Sequence, residues 1–257
     1  MARRSEQPSD DPAMGSVDPA LHPPVVIPDE DWAWFAARAA TLGIADVASR
    51  RTAIEALYGH MIGVNRWLNL TTIVAPREYL KLHVLDSLAA LADPRLRHLG
   101  EGSPCVDLGS GGGYPGLPLA LWTPRVAWVL VDSRRKKADF LAAAGALIGR
   151  VSDAGRVSAR HLRGGETPTA APDLWRKCQL VVSRAMGQAG DVLAEAADLV
   201  RPHGHVVIYK GPAFAGDEKA ATLESGGRLG YRFVAERRVR LDDADPERVL
   251  VVFERIR

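Results

Sequence analysis

The sequence has little cysteine, little net charge and no long apolar run. Its two cysteines, Cys105 and Cys178, lie in apolar stretches typical of strands, which offers no disulfide framework and predicts two reduced core residues. With 33 basic and 31 acidic residues the formal net charge is +2, so no overall field indicates nucleic acid, although a local basic face stays compatible with this balance. No stretch approaches the roughly 18 apolar residues of a membrane span, and no charged-then-apolar leader opens the chain. A cytoplasmic protein without a membrane partner is expected.

Three regions differ in residue pattern. Residues 1–28 are rich in Pro, Asp and Ser and predict a disordered tail, because they offer too few apolar side chains to offset the entropy of ordering. Residues 29–98 show three helical periodicities, the third at about 76–92, and predict an N-terminal helical extension. Residues 99–257 alternate between strand and helix patterns and predict one α/β domain with a mostly parallel sheet.

The order of these patterns indicates a fold class. Helical patterns fall at 116–122, 134–149, 188–200 and 214–225. Strand patterns fall at 104–108, 126–131, 155–159, 178–183, 204–209, 231–239 and 248–254. The last two strands have a short polar connection and should form a hairpin, with one strand antiparallel to the rest. A Rossmann-like, doubly wound sheet that ends in such a hairpin is the layout of class I S-adenosylmethionine-dependent methyltransferases.

The most informative segment is 105–116, Cys-Val-Asp-Leu-Gly-Ser-Gly-Gly-Gly-Tyr-Pro-Gly. An apolar strand leads into spaced glycines, and an apolar helical pattern follows. Glycine is needed where the backbone takes a positive φ or lies close against a ligand. The turn therefore predicts a nucleotide-type ligand at Gly109 and Gly111.

Two cofactors compete for this turn. Gly111-x-Gly113-x-x-Gly116 matches the dinucleotide fingerprint, and Asp132 follows at about the distance of a ribose-binding acid. Asp107, directly before the turn, would repel a pyrophosphate. S-adenosylmethionine carries an ammonium and a sulfonium and no phosphate, so it is the favoured cofactor, with Asp132 accepting hydrogen bonds from its ribose hydroxyls. An NAD-dependent oxidoreductase is the less favoured alternative.

Absent motifs restrict the methyl acceptor. Methylation at pyrimidine C5 usually needs a cysteine near the end of the fourth strand, and Cys178 lies at its beginning. Methylation of an exocyclic amine commonly uses Asn or Asp, two prolines and an aromatic residue after that strand, where this chain has Ser183-Arg184-Ala185-Met186. Guanine N7 carries a free lone pair and needs positioning and desolvation rather than a general base. A small-molecule methyltransferase and a non-catalytic RNA-binding module remain alternatives.

Further motifs follow one another along the chain: Asn69-Leu-Thr-Thr-Ile73, His83-Val-Leu-Asp86-Ser-Leu88, the glycine turn extended to Pro118, Val131-Asp-Ser133 with Lys136-Lys137, Ser183-Arg-Ala185 and Lys210-Gly211. Together they resemble the ribosomal RNA small subunit methyltransferase G family, also called glucose-inhibited division protein B, over residues 45–255. The Tyr-Pro-Gly-Leu-Pro end of the glycine turn is the most specific part. The resemblance implies methylation of one guanine N7 in bacterial 16S rRNA by S-adenosylmethionine, with the small ribosomal subunit or its RNA as partner.

The resemblance also implies positions that contact the cofactor. They are Gly109, Tyr114, Arg184 and a pair after the third strand, His161 and Leu162. The family often has an acidic residue in that pair, and this chain has none. If the cofactor is contacted through backbone atoms, this difference in side chain is tolerated.

Arg184 and Lys210 follow strands at the edge where α/β proteins bind ligands, and are the candidates for the substrate side. No catalytic base is assigned. No metal is expected, because His203 and His205 alternate on a strand without a third ligand. The protein is expected to be a monomer.

Overall fold

The computed structural model describes residues 12–97, 99–163 and 166–256, without the side chain of Arg97. Its strands are β1 (Cys105–Leu108), β2 (Trp128–Asp132), β3 (Val157–His161), β4 (Cys178–Arg184), β5 (Val200–Lys210), β6 (Tyr231–Val239) and β7 (Arg248–Arg255). They form one seven-stranded sheet in the order β3-β2-β1-β4-β5-β7-β6. Strands β1 to β5 are parallel, and β7 runs antiparallel between β5 and β6. The predicted mostly parallel sheet with a C-terminal hairpin is confirmed.

The described helices lie before the first strand and between the later ones, and they cover both faces of the sheet. They are α1 (Asp29–Thr41), α2 (Arg51–Leu68), α3 (Pro76–Glu78), α4 (Asp86–Leu88), α5 (Pro94–Arg97), α6 (Gly116–Trp122), α7 (Arg135–Val151), α8 (Thr167–Ala170), α9 (Ala189–Ala196) and α10 (Gly216–Arg228). Residues Tyr79–Leu85 wind as a π-helix between α3 and α4, so the predicted third helix is helical in outline but irregular in winding. No helix in the described ranges combines the length and apolarity that crossing a membrane requires.

Helix α9 is shorter than its pattern predicts. The apolar spacing extends to residue 200, but the helix ends at Ala196. Val200 instead pairs with Cys178 of β4 in the parallel ladder. Backbone pairing along the sheet therefore overrides the local helical periodicity.

The sheet buries apolar side chains on both faces, as parallel sheets require. Leu130 and Val182 face a core shared with α1, α2, α6 and α7. Val129 and Val181 face the opposite core, shared with α9. Trp128 belongs to the first core and is 1% exposed, as its place in a strand pattern predicts. The helices before β1 thus complete one face of the sheet.

The prediction of a disordered tail is wrong for residues 12–28, here called the N-terminal strap; residues 1–11 lie outside the described residues. Ile27 is fully buried and the backbone N–H of Val25 donates to the carbonyl of Glu55 in α2. A Cβ on Gly59 would stand 2.1 Å from the carbonyl oxygen of Pro23, so α2 has no side chain where the strap crosses it. The composition of the strap could not predict that it is ordered, because the surface it packs against belongs to α2, a different segment of the chain.

His60 of α2 joins the strap to α7. Its Nε2–H donates to the carbonyl of Val17 at 2.8 Å, and its ring stacks on Phe140 with centroids 4.9 Å apart. The ring is completely buried, and this burial lowers the pKa of His60 to about 4. The folded protein therefore holds His60 neutral.

This neutral histidine predicts a loss of stability in mild acid. Below the ordinary pKa of histidine, His60 binds a proton in the unfolded chain. In the folded protein it does not bind this proton until the pH falls to about 4. Between pH 7.5 and pH 5.5, His60 should reduce the free energy of unfolding by about 1.4 kcal/mol. His60→Gln keeps a donor for Val17 and removes the titration. Urea unfolding of the wild type and of His60→Gln at both pH values checks this. His83, which is also buried, contributes equally to the two proteins. Equal losses of unfolding free energy in the two proteins would contradict the assignment to His60.

Candidate active site

The glycine turn lies at the carboxyl end of β1, where ligands bind in open α/β sheets. Gly109 has a φ of +71° and Gly111 a φ of +59°, both in the left-handed region that favours glycine. A Cβ on Gly109 would also stand 2.2 Å from Sδ of Met186. Gly109 is therefore required by both backbone conformation and space.

Asp107 holds this turn together from inside. Its carboxylate is fully buried, and Oδ2 accepts hydrogen bonds from the Ser110 hydroxyl at 2.6 Å and the Gly116 amide at 2.8 Å. Burial raises its pKa to about 6. Asp107 lines none of the cavities at the turn. The carboxylate joins the two ends of the turn through Oδ2, and its Oδ1 has no hydrogen-bond partner among the described residues.

Asp132 is fixed at the end of β2. Its Oδ2 accepts a hydrogen bond from the Gly111 amide at 3.0 Å, and its Oδ1 accepts one from the Arg134 amide at 2.8 Å. A carboxylate has about four acceptor sites, so each oxygen can accept a further hydrogen bond from a ligand. The side chain lines the cavity beside the turn. Asp132 is thus a preformed acceptor pair.

Three adjoining cavities form a groove along the carboxyl edge of the sheet. The β2 cavity, 450 Å³ and lined by Asp132, shares Gly109 and Lys137 with the turn cavity, which measures 230 Å³. The turn cavity shares His83 and Arg184 with the β5 cavity, which measures 350 Å³. A ligand in the β2 cavity and a second molecule in the β5 cavity would meet at the turn.

The β2 cavity combines apolar walls with carboxylates. Its described lining includes the apolar Leu108, Leu162 and Met186, the carboxylates of Asp132 and Glu195, and the cations of Arg134, Lys137 and Arg163. Burial raises the pKa of Glu195. Of the pair predicted after β3, Leu162 lines this cavity, whereas His161 lies outside it and its Nε2 contacts the carbonyl of Ser133 at 3.0 Å.

Tyr114 joins the turn to the helical segment before α4. Its ring stacks on His83, with centroids 4.3 Å apart and planes at 7°. Its hydroxyl donates to the hydroxyl of Tyr79 at 3.2 Å. Burial lowers the pKa of His83 to about 3, so this histidine is neutral. Tyr114 also lines the turn cavity, as its predicted place beside a ligand requires.

Arg184 is held by a shared carboxylate. Its Nη1 donates to Oδ2 of Asp86 at 2.8 Å and to the carbonyl of Leu82 at 2.7 Å. Nε of Arg248, the first residue of β7, lies 3.2 Å from the other oxygen of Asp86. Two guanidinium groups thus share one carboxylate, which leaves net positive charge in the β5 cavity. Sequence reasoning missed Arg248, because nothing local to it signals a partner in the N-terminal region.

Lys210 lines the same β5 cavity as Arg184. Its Nζ lies 2.5 Å from Oε1 of Glu218 and donates to the carbonyl of Gly187 at 3.0 Å. The two residues predicted for the substrate side are therefore brought together. Within the described ranges, no group of three or more His, Cys, Asp or Glu side chains is placed to hold a metal ion.

The fold and site define a class of protein. A parallel sheet completed by an antiparallel β7, with a glycine turn after β1 and an acid ending β2, is the class I methyltransferase architecture. A solved SAM dependent methyltransferase from Aquifex aeolicus superposes with a TM-score of 0.50 at 13% identity, covering 68% of this chain and 93% of that one. At that identity the likeness shows the fold alone.

Sequence comparison gives the family. The family model for GidB, rRNA small subunit methyltransferase G, matches residues 50–225. Ribosomal RNA small subunit methyltransferase G of Sorangium cellulosum is 36% identical over 200 residues, covering 78% of this chain and 80% of the relative. The Myxococcus xanthus protein of the same name is 33% identical over 219 residues, covering 85% and 94%. The chain belongs to the rRNA small subunit methyltransferase G family, which confirms the predicted resemblance.

Proposed function

We propose that the protein methylates N7 of a guanine in 16S rRNA with S-adenosylmethionine as the methyl donor. The observation that carries the proposal is the continuous groove, with the fixed Asp132 carboxylate at one end and the cationic β5 cavity at the other. Family membership supports the rRNA substrate. The partner is the small ribosomal subunit or its RNA, in the cytoplasm.

The β2 cavity fits the nucleoside part of this cofactor. Because Gly109 has no side chain, Met186 can pack against the turn and line the cavity, and Asp132 has free acceptor sites for the two ribose hydroxyls. Leu108, Leu162 and Met186 provide apolar surface for the adenine ring. When bound, the cofactor supplies a methyl carbon on a sulfonium, which the guanine N7 lone pair takes while sulfur keeps the bonding electrons.

The groove matches an acceptor that needs no general base. His83 is the histidine among the described groove residues, and its pKa of about 3 makes it a weak proton acceptor at neutral pH. Asp86 is engaged by two arginines. Because N7 has no proton to lose, positioning and exclusion of water are the tasks left to the protein.

The substrate side is assigned to the β5 cavity. Arg184, Lys210 and Arg248 line it together with one shared carboxylate, Asp86. Their excess positive charge suits a polyanionic RNA backbone. Arg184 lies between the β5 cavity and the turn cavity and lines both of them. Its Cζ is 5.8 Å from the centroid of the Tyr114 ring.

Chemical cleavage at N7-methylguanine tests this function directly. 16S rRNA from cells with the gene should show one strand scission that is missing from deletion cells and restored by a plasmid copy. Purified protein should transfer label from S-adenosylmethionine to small-subunit RNA and not to a metabolite extract. Identical cleavage in both strains would contradict the proposal, and transfer to the metabolite extract alone would instead support a small-molecule methyltransferase.

A further inference from the structure

We propose that Lys137 binds the carboxylate at the amino-acid end of the cofactor, in the turn cavity. The inference rests on the proposed use of S-adenosylmethionine. It adds a residue that belongs to none of the predicted cofactor contacts, and it assigns the turn cavity, as distinct from the β2 cavity, to an anion.

The first argument is the charge of the turn cavity. Two cationic side chains, Lys137 and Arg184, line it, and none of the described residues around it is an aspartate or a glutamate. His83, its third ionisable neighbour of basic type, is held neutral by burial. A small cavity with cations from two different elements and no carboxylate favours an anionic group.

The second argument is the state of Lys137 itself. It is the third residue of α7, half-buried, and forms no ion pair with any described residue. Arg184 and Lys210, by contrast, each have a carboxylate partner. Nζ of Lys137 lies 3.9 Å from where a Cβ of Gly111 would stand, directly at the turn. A half-buried ammonium without a counter-charge gains most from a bound anion.

The third argument is that several amides of the turn are engaged within the protein. The amide of Ser110 donates to the carbonyl of Val131 at 2.8 Å, and that of Gly113 to the carbonyl of Ser110 at 2.8 Å. The Gly111 amide is engaged by Asp132. Because these three donors are already used, a carboxylate at the turn gains from a side-chain cation beside it.

The fourth argument is the order of groups along the groove. Lys137 and Gly109 line both the β2 cavity, which holds the Asp132 carboxylate, and the turn cavity. A molecule with ribose hydroxyls at Asp132 would extend its other end past Gly109 towards Lys137. Lysine there attracts a carboxylate and would repel a ligand end that carried only positive charge.

The test measures binding of two ligands by calorimetry. S-adenosylhomocysteine carries the carboxylate, and 5′-methylthioadenosine has the same nucleoside and sulfur without the amino acid. Lys137→Gln should weaken S-adenosylhomocysteine about tenfold or more, the loss of one charge-assisted hydrogen bond, and leave methylthioadenosine unchanged. Lys137→Arg should recover part of the affinity.

Lys136→Gln is the matched control. It removes the same charge one residue earlier, where Nζ lies 5.9 Å from the ring of Trp67, and should alter neither affinity. The proposal is overturned if Lys137→Gln binds S-adenosylhomocysteine like the wild type, or weakens both ligands equally. A raised KM for 16S rRNA with unchanged S-adenosylhomocysteine affinity would also overturn it and assign Lys137 to an RNA phosphate.

Failure of this inference is distinguishable from failure of the proposed function. A wild-type protein that binds S-adenosylhomocysteine but leaves guanine N7 unmethylated would contradict the function, and the two affinities would still decide the role of Lys137. A wild-type protein that binds neither ligand would contradict both.

Discussion

Replacing Gly109 by aspartate should abolish cofactor binding while the protein still folds. The aspartate would have to adopt a φ of +71°, and its Cβ would meet Sδ of Met186 at 2.2 Å. Met186 is a flexible side chain that can move, but the cavity it lines is the place it would move into. The new carboxylate would then occupy the space between the β2 and turn cavities.

The expected effect of Gly109→Asp is large. Backbone strain of about 1–3 kcal/mol together with a blocked cavity should raise the Kd for S-adenosylhomocysteine at least about 100-fold. Calorimetry gives the affinity, and circular dichroism with a thermal melt shows that the protein is folded. Binding within a few-fold of the wild type would mean that the cofactor does not pass Gly109.

Two other glycines serve as controls for Gly109. Gly111 shares the positive φ, but its added Cβ would meet no atom closer than 3.9 Å, so Gly111→Ala carries the strain without the obstruction and should weaken binding only modestly. Gly149, inside α7, has open space around it. Gly149→Ala should leave binding unchanged.

Replacing Arg184 by glutamine should remove activity and also destabilise the fold. Asp86, whose side chain is 7% exposed, would keep Arg248 as its ionic partner, and the Leu82 carbonyl would lose a donor. Removing one partner of a buried, hydrogen-bonded charge should cost about 2 kcal/mol of unfolding free energy. Since Arg184 lines both the turn and β5 cavities, kcat/KM for 16S rRNA should fall by about 100-fold or more.

Two arginines separate these effects. Arg248→Gln removes the other cation beside Asp86 from a more exposed position and should destabilise less than Arg184→Gln. Arg238→Gln removes a half-exposed cation that pairs with Glu236 and Glu247, while Glu236 keeps Lys219 as a partner; it should leave stability and activity nearly unchanged, because such pairs contribute little. Urea unfolding and methylation kinetics of the three variants provide the test. Equal behaviour of Arg184→Gln and Arg238→Gln would contradict a structural role for the shared carboxylate.

The sequence predicts the sheet well because its central parallel strands β1, β2 and β4 are buried on both faces. Such strands read as short apolar runs, and the intervening helices keep a clear 3.6-residue period. The glycine turn is equally visible, since positive φ values restrict the residue type at Gly109. The residue pattern predicts the wrong element where a contact with a distant segment determines the structure. Val200 continues the helical spacing of α9, but it belongs to β5 because it pairs with β4.

Side-chain orientation is what the sequence does not predict at the site. Asp107 is adjacent to the turn in sequence, but the hydrogen bonds it accepts from Ser110 and Gly116 direct it inward. Arg248 reaches the groove through Asp86, a contact between distant segments. Lys137 lies in a basic run with Arg134, and only the folded helix shows which of these cations borders the turn.

The N-terminal strap has a consequence for the order in which the molecule is completed. His60 donates a hydrogen bond to Val17 of the strap and stacks on Phe140 of α7. It therefore connects two segments that are synthesised at different times. A contact between segments so distant in sequence cannot form before the later segment has been synthesised, and closing the long loop between them is slow. The strap, among the earliest segments to be synthesised, therefore acquires its full set of neighbours only once the first half of the sheet and its helices exist.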